Sequence, residues 1–178
     1  DLSNVIAPPV EGPRVRLREQ DHEVERTLGA RIVDLARPAI EEGRTVAAEL
    51  AIRNTDRSVG ALLGAAVSRL HREGLPDGSI DLAFRGTAGQ SFGAFLTRGA
   101  TFKLIGDAND YLAKGLSGGR IVLRPDAGAP FAAEDNVIAG NTLLYGATSG
   151  EVYIRGKVGE RFAVRNSGAV AVVEGVGD

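Results

Sequence analysis

The feature that most constrains this chain is a short strand that restarts at glycine, again and again, between Gly78 and Gly175. Its instances are GSIDLAFRG (78–86), GATFKLIG (99–106), GRIVLRP (from Gly119), GEVYIRG (150–156) and GAVAVVEG (168–175), with leading glycines 21, 20, 31 and 18 residues apart. A period in this range marks stacked repeats. Two-residue hairpins would return the chain within about ten residues, whereas a period near twenty lets each coil lay a short strand on the coil before it. The expected fold is mainly β, a parallel β-helix solenoid preceded by a small α/β segment, with a β-sandwich as the rival arrangement.

Alternation within each strand predicts what faces inward. Ile80, Leu82 and Phe84 share one face, as do Phe102 and Leu104, Ile121 and Leu123, Val152 and Ile154, and Val170 and Val172. Glycine followed by a polar residue recurs at Gly89-Gln90, Gly106-Asp107, Gly140-Asn141 and Gly159-Glu160, so turns repeat as well as strands. The stretch 125–136 reads as a loop inserted into one coil, which accounts for the long interval. Glycines are expected at the corners because the backbone there needs positive φ. Their distribution supports this, with six in residues 1–77 and eighteen in 78–178.

The first half has another character. Residues 1–20 read as an extended linker, broken by Pro8, Pro9 and Pro13, with Val15 and Leu17 alternating with Arg14, Arg16 and Arg18. Residues 21–77 read as a helix-strand-helix lead-in that packs on the solenoid of 78–178. Asp21 is the expected cap of a helix with Val24, Leu28, Ile32, Leu35 and Ala36 on its apolar face, interrupted at Pro38 and ended at Gly43. Val46, Ala48, Leu50 and Ile52 then alternate as a strand. Asn54, Asp56 and Ser58 can cap a second helix with Leu62, Leu63, Ala66, Val67 and Leu70 as its stripe, stopped by Gly74. His22 and His71 lack a second histidine at ligand spacing and read as surface residues.

Composition removes several chemistries. The absence of cysteine excludes disulfides, thiol nucleophiles and cysteine-ligated zinc or iron–sulfur clusters in this stretch. A formal charge of −2 gives no electrostatic case for nucleic acid, and no apolar run reaches the ~20 residues of a membrane span. No secretory leader pattern is visible at the start, and with Asp1 leading the expectation is that the true N-terminus lies elsewhere. GTAGQSFGAF (86–95) has the glycines of a phosphate cradle but leads to another strand rather than a helix, so turn glycines are the better reading. Asp107, Asn109, Asp110, Tyr111 and Lys114 form a polar patch that can be drawn as an acid–base cluster or, more simply, as a solvated corner. Glu160, Arg161, Arg165 and Asn166 form an Arg-rich turn able to hold an anion or to pair with its own carboxylates. Catalytic, cofactor and metal residues are therefore expected to be absent, and the polar turns structural.

Four long motifs, GTAGQSFGAF, GDANDYLAKGLSGG (106–119), GNTLLYGATSGEVYIRG (140–156) and GERFAVRNSGAVAVVEGVGD (159–178), resemble in this order the C-terminal GXGXG domain of the large subunit of bacterial glutamate synthase. IRNTDRSVGALLG (52–64) extends the resemblance upstream. It implies a right-handed parallel β-helix, non-catalytic, within a cytoplasmic oxidoreductase of glutamate biosynthesis that makes two glutamates from glutamine, 2-oxoglutarate and reductant. It implies partners in the glutaminase domain and the synthase domain, the latter carrying FMN and an iron–sulfur cluster, and in an NADPH-oxidising small subunit. The structural turn and motif residues it points to are Gly86, Gly89, Gly93, Gly106, Asp107, Asn109, Asp110, Gly118, Gly119, Gly140, Asn141, Gly146, Gly150, Gly159, Glu160, Arg165, Asn166 and Gly168. Ala113 stands where family members show glycine, which argues against a left-handed backbone at that residue. The coil at 168–175 is not expected to be the last. The alternatives are a stand-alone subunit of the same type in a related amidotransferase or formylmethanofuran dehydrogenase complex, and, more remotely, a β-helical carbohydrate-active enzyme using Asp107 and Asp110.

Overall fold

The computed structural model describes residues 1–7, 11–13 and 15–177. Pro8, Pro9 and Arg14 of the expected linker lie outside these residues, as does Asp178, while the described parts of 1–20 are exposed and carry neither helix nor strand.

Among the described residues the fold is a seven-stranded, wholly parallel sheet with two α-helices. Strands β1 (Val46–Ile52), β2 (Ile80–Ala88), β3 (Ala100–Ala108), β4 (Ser117–Arg124) and β6 (Ser149–Val158) lie side by side in that order. Strand β7 (Val170–Val176) pairs with β6, and the short β5 (Val137–Ala139) pairs with β6 and β3. Register is held through the central positions of the strands, so side chains there stack in columns. One column runs Ala48, Leu82, Phe102, Ile121, Val152, Ala171, and the next runs Leu50, Phe84, Leu104, Leu123, Ile154, Val173. Burying these two columns excludes water from most of the interior, and each fully buried Leu, Ile or Phe contributes about 1.5–3 kcal/mol. Phe84, Phe92 and Phe102 form its aromatic centre, with ring centroids 5.0–5.6 Å apart.

The inward faces of the strands starting at 78, 99, 119 and 150 are as the alternation predicts. The last strand is not. Val170 and Val172 are 57% and 56% exposed, and Ala171 and Val173 pack inward instead. Pairing explains this, because Glu151 lies opposite Val170 and Val152 opposite Ala171, so Gly168 does not occupy the place of Gly150. A one-residue offset turns every side chain to the other face. The strand expected at 45–53 joins the sheet, since β1 pairs with β2 along its whole length.

The first helix ends at Gly43 as expected, but the start of both helices and the end of the second differ from the expectation. Thr27, not Asp21, caps α1 (Leu28–Glu42), its hydroxyl oxygen accepting from the Ala30 amide at 3.2 Å. Asp21 instead accepts from the Glu23 amide ahead of a short 3-10 turn, Val24–Arg26, leaving Val24 exposed. Helix α1 also runs through Pro38 and stops at Gly43, whose φ of 68° is left-handed. Helix α2 (Ala61–Leu70) starts after Gly60 with no side-chain cap, and Asp56 binds the Arg53 amide instead. It buries Leu63, Gly64 and Val67 while Leu70 is exposed, and it ends before Gly74, at His71. His71 is half-buried rather than on the surface. Its Nε2 lies 2.7 Å from the Ile40 carbonyl, and because a carbonyl only accepts, Nε2 carries the proton and ties the ends of the two helices together.

Candidate functional site

After each strand the chain makes a turn, and the turns stack as regularly as the strands. Four five-residue arcs correspond: Ser91–Phe95, Tyr111–Gly115, Thr142–Gly146 and Arg161–Arg165. In each, the first, third and fifth residues have left-handed φ, and nine of these twelve positions are not glycine. Ala113 is one of them, at φ 61°, so the expectation drawn from its missing glycine is overturned. The alternation points successive amides toward opposite neighbours. Amides of first and fifth residues donate to the following turn, as in Ser91 to Asp110 (2.9 Å) and Phe95 to Lys114 (2.8 Å), while third residues donate to the preceding one, as in Ala113 to Phe92 (2.8 Å). Each such bond satisfies a backbone group that a buried corner would otherwise orphan. That gain offsets the cost of left-handed backbone at residues with a Cβ.

Polar side chains extend this ladder. Asp110 Oδ1 accepts from the Asn141 amide at 2.7 Å, and Asn141 Oδ1 accepts from the Glu160 amide at 2.8 Å. Asn109 Nδ2 donates to the Ala88 carbonyl at 3.2 Å and to Asn54 Oδ1. Gln90 holds the place of Asp110 in the preceding turn, yet its Oε1 is buried without a partner. Asn166 Oδ1 accepts from Ala169 at 2.9 Å and closes the turn before β7, in which Gly168 lies. Asp110 is thus occupied as a backbone cap, and Asp107 sits on β3 opposite Thr87.

The turn marker read from the sequence shifts in the structure. Gly106 pairs with Gly86 inside the sheet, and the true equivalent of Gly89 and Gly140 is Asn109. Gly89, Gly140 and Gly159 have no left-handed φ; a Cβ there would meet the Asn54 and Asp56 carbonyls at Gly89, and at Gly140 and Gly159 first the Asp110 and Asn141 side-chain oxygens and then backbone. Gly106 combines both needs, with φ 144° and the Gly86 carbonyl where a Cβ would stand. The segment 86–95 passes from β2 into the first arc and opens no helix. The signal that finds the arcs is a buried apolar residue at the second place (Phe92, Leu112, Leu143) followed by Gly93, Ala113 or Leu144.

At the N-terminal ends of the strands, a groove of about 660 Å³ runs past Gly118, Gly119, Gly150 and Gly168. Its charges cancel locally, with Arg98 3.1 Å from Asp77 and Arg120 2.7 Å from Glu151. The hydrogen bond to Glu151 raises the Arg120 pKa above its ordinary value, so this guanidinium stays charged. Among the described residues no group of three or more His, Cys, Asp or Glu side chains is placed to hold a metal ion. No helix among them is long and apolar enough to cross a membrane.

The sequence pattern of the GXGXG motif family matches residues 27–178. The chain belongs to the GXGXG family. Three relatives place this GXGXG segment in longer proteins. It is 48% identical, over all of its length, to the glutamate synthase [NADPH] large chain of Bacillus subtilis. It is 53% identical over 91% of its length to glutamate synthase [NADH] of Schizosaccharomyces pombe, and 51% identical over 81% to ferredoxin-dependent glutamate synthase 2 of Synechocystis. It spans 12%, 8% and 10% of those proteins. The three differ in the electron donor their names state, yet all contain a GXGXG segment at this similarity.

Proposed function

We propose that the chain is a non-catalytic structural domain of a glutamate synthase, the oxidoreductase that converts glutamine, 2-oxoglutarate and reductant into two glutamates. In this reading the sheet and the stacked turns are two flanks of a right-handed parallel β-helix. Residues 78–178 are its coils, 21–77 the lead-in packed on them, and 1–20 the linker. The domain spaces the glutaminase domain and the synthase domain of a cytoplasmic nitrogen-assimilating enzyme. FMN and the iron–sulfur cluster belong to the neighbouring domains, and the NADPH-oxidising small subunit is a further partner. The glycines and polar residues from Gly86 to Gly168 serve as turn and motif residues.

The observation that carries this reading is the continuous bonding of each coil to its neighbours through both strand and turn around an apolar interior. Such a body resists bending and suits a spacer. In the parent enzyme, Phe102→Ala is expected to lower coupled glutamate synthesis more than it lowers glutamine hydrolysis or ammonia-dependent synthesis measured separately. Selective loss of one half-reaction with coupling intact would place chemistry in this domain instead. Stoichiometric, tight flavin uptake by the segment alone would also overturn the reading.

A further inference from the structure

On the strands three cations are paired, Arg85 with Glu49 at 2.6 Å, Lys103 with Asp81 at 2.6 Å and Arg120 with Glu151 at 2.7 Å, while Arg124, Arg155 and Lys157 have no ion pair among the described residues. On the turns, Lys114, Arg161 and Arg165 form no ion pair among the described residues. Two of them rest on aromatic rings instead. Lys114 Nζ is 5.6 Å from the Tyr111 centroid, Arg165 is 5.7 Å from that of Tyr145, and the two tyrosines meet edge to face at 6.3 Å.

Phe95 completes the stripe and is its least expected member. It is 52% exposed, it sits at φ 55°, and its ring lies where a Cβ on Gly115 would stand. A bulky side chain in left-handed backbone is strained, and glycine fills the same place in the next two arcs, at Gly115 and Gly146. The hydrogen bond of the Phe95 amide to the Lys114 carbonyl and the packing of the ring on Gly115 hold this backbone, and so place an aromatic ring at the surface. Arg165 closes the stripe from the other end, also left-handed at φ 57°.

We propose that Phe95, Tyr111, Lys114, Tyr145, Arg161 and Arg165 form the surface by which this segment docks on a carboxylate-bearing face of a neighbouring domain. The inference rests on the reading of the chain as part of a larger enzyme and names which flank meets the neighbour. Aromatic residues and arginine are the groups that concentrate binding energy in protein interfaces. Side chains already fixed by stacking lose little freedom on docking. Cations covered by a partner need countercharge, which selects an acidic surface. A net charge of −2 for the whole chain disfavours RNA as the occupant.

Carbodiimide coupling in the intact enzyme tests this, because the segment has only three lysines, Lys103, Lys114 and Lys157. The Lys103–Asp81 pair serves as the internal control. Lys114 is expected to join an Asp or Glu outside residues 27–178, and Lys114→Arg to abolish that product alone. Formation of the control product with Lys114 joined to nothing, or only to a carboxylate of its own segment, overturns the proposal. Hydroxyl-radical labelling gives a second reading, since Tyr111 and Tyr153 are both 38% exposed in the segment. Several-fold slower labelling of Tyr111 and Phe95 than of Tyr153 is expected, and equal rates, or slower labelling of Tyr153, overturn it. Protection that nuclease treatment removes identifies RNA as the occupant and also overturns it. If the native chain has the mass of a small separate subunit, the glutamate synthase reading fails by itself. A Lys114 product with a carboxylate of a separate protein would then still support the docking surface.

Discussion

At the residue scale, the arcs trade backbone strain against hydrogen bonds between neighbouring turns, and single substitutions separate the two. Ala113 has left-handed φ and a fully buried methyl group. Ala113→Gly relieves the strain but removes one buried methyl, two effects of about 1 kcal/mol each and opposite sign. Denaturant unfolding should therefore place this variant within about 1 kcal/mol of the parent. Ala113→Val adds β-branching to the same strained backbone in a packed interior and should cost about 2–4 kcal/mol. Gln90 offers the reverse case. Its Oε1 is buried without a partner, where the shorter side chains of Asp110 and Asn141 each reach a backbone amide of the following turn. Gln90→Asn puts the acceptor at that reach and should raise stability by about 1 kcal/mol in the same measurement.

At the scale of elements, the strands are held by two inward columns and the helices by a narrower contact. Phe102 touches both other aromatic rings of the core and is fully buried, so Phe102→Ala should destabilise by about 3–5 kcal/mol. The helix pair relies on the His71–Ile40 bond at its far end. His71→Ala should cost about 1–2 kcal/mol and speed hydrogen exchange at the ends of α1 and α2 before it does so in the sheet. The columns were legible in the sequence, because alternation at strand spacing leaves only two faces to choose between. Where register entered, legibility ended: nothing in GAVAVVEG by itself says whether Val170 or Ala171 lies opposite Val152. The helix caps were misplaced for a similar reason. Asp21 and Thr27 are both capable N-caps, and packing of Ile32 and Ala36 against the core selects where the helix begins.

At the scale of the molecule, the outer face of the sheet carries its ion pairs in ladders across strands, each between side chains well exposed to water. Pairs of this kind contribute about 0–1 kcal/mol and are screened by salt. Thermal unfolding in high salt should therefore shift the midpoint by no more than a few degrees, since the apolar interior carries the stability. The inserted loop between β4 and β5 is largely exposed from 126 to 131. Shortening it there should change stability by about 1 kcal/mol or less, because loop-closure entropy grows slowly with length. Within the polar turn clusters that invited an acid–base or anion-site reading, Asp110 and Asn141 each accept from a backbone amide, and Arg165 lies over Tyr145.

By itself the sequence determined the repeat, the parallel stacking it demands and the inward residues of four strands, because spacing and alternation are properties of the chain read along its length. It also carried, in four motifs, the family to which the chain belongs. The tertiary structure alone decided the register of β7, the equivalence of Asn109 with Gly89 and Gly140, and the left-handed backbone at residues such as Phe95 and Ala113. Those depend on which strands and turns lie next to one another, and on hydrogen bonds between neighbouring turns strong enough together to hold conformations that each residue alone disfavours.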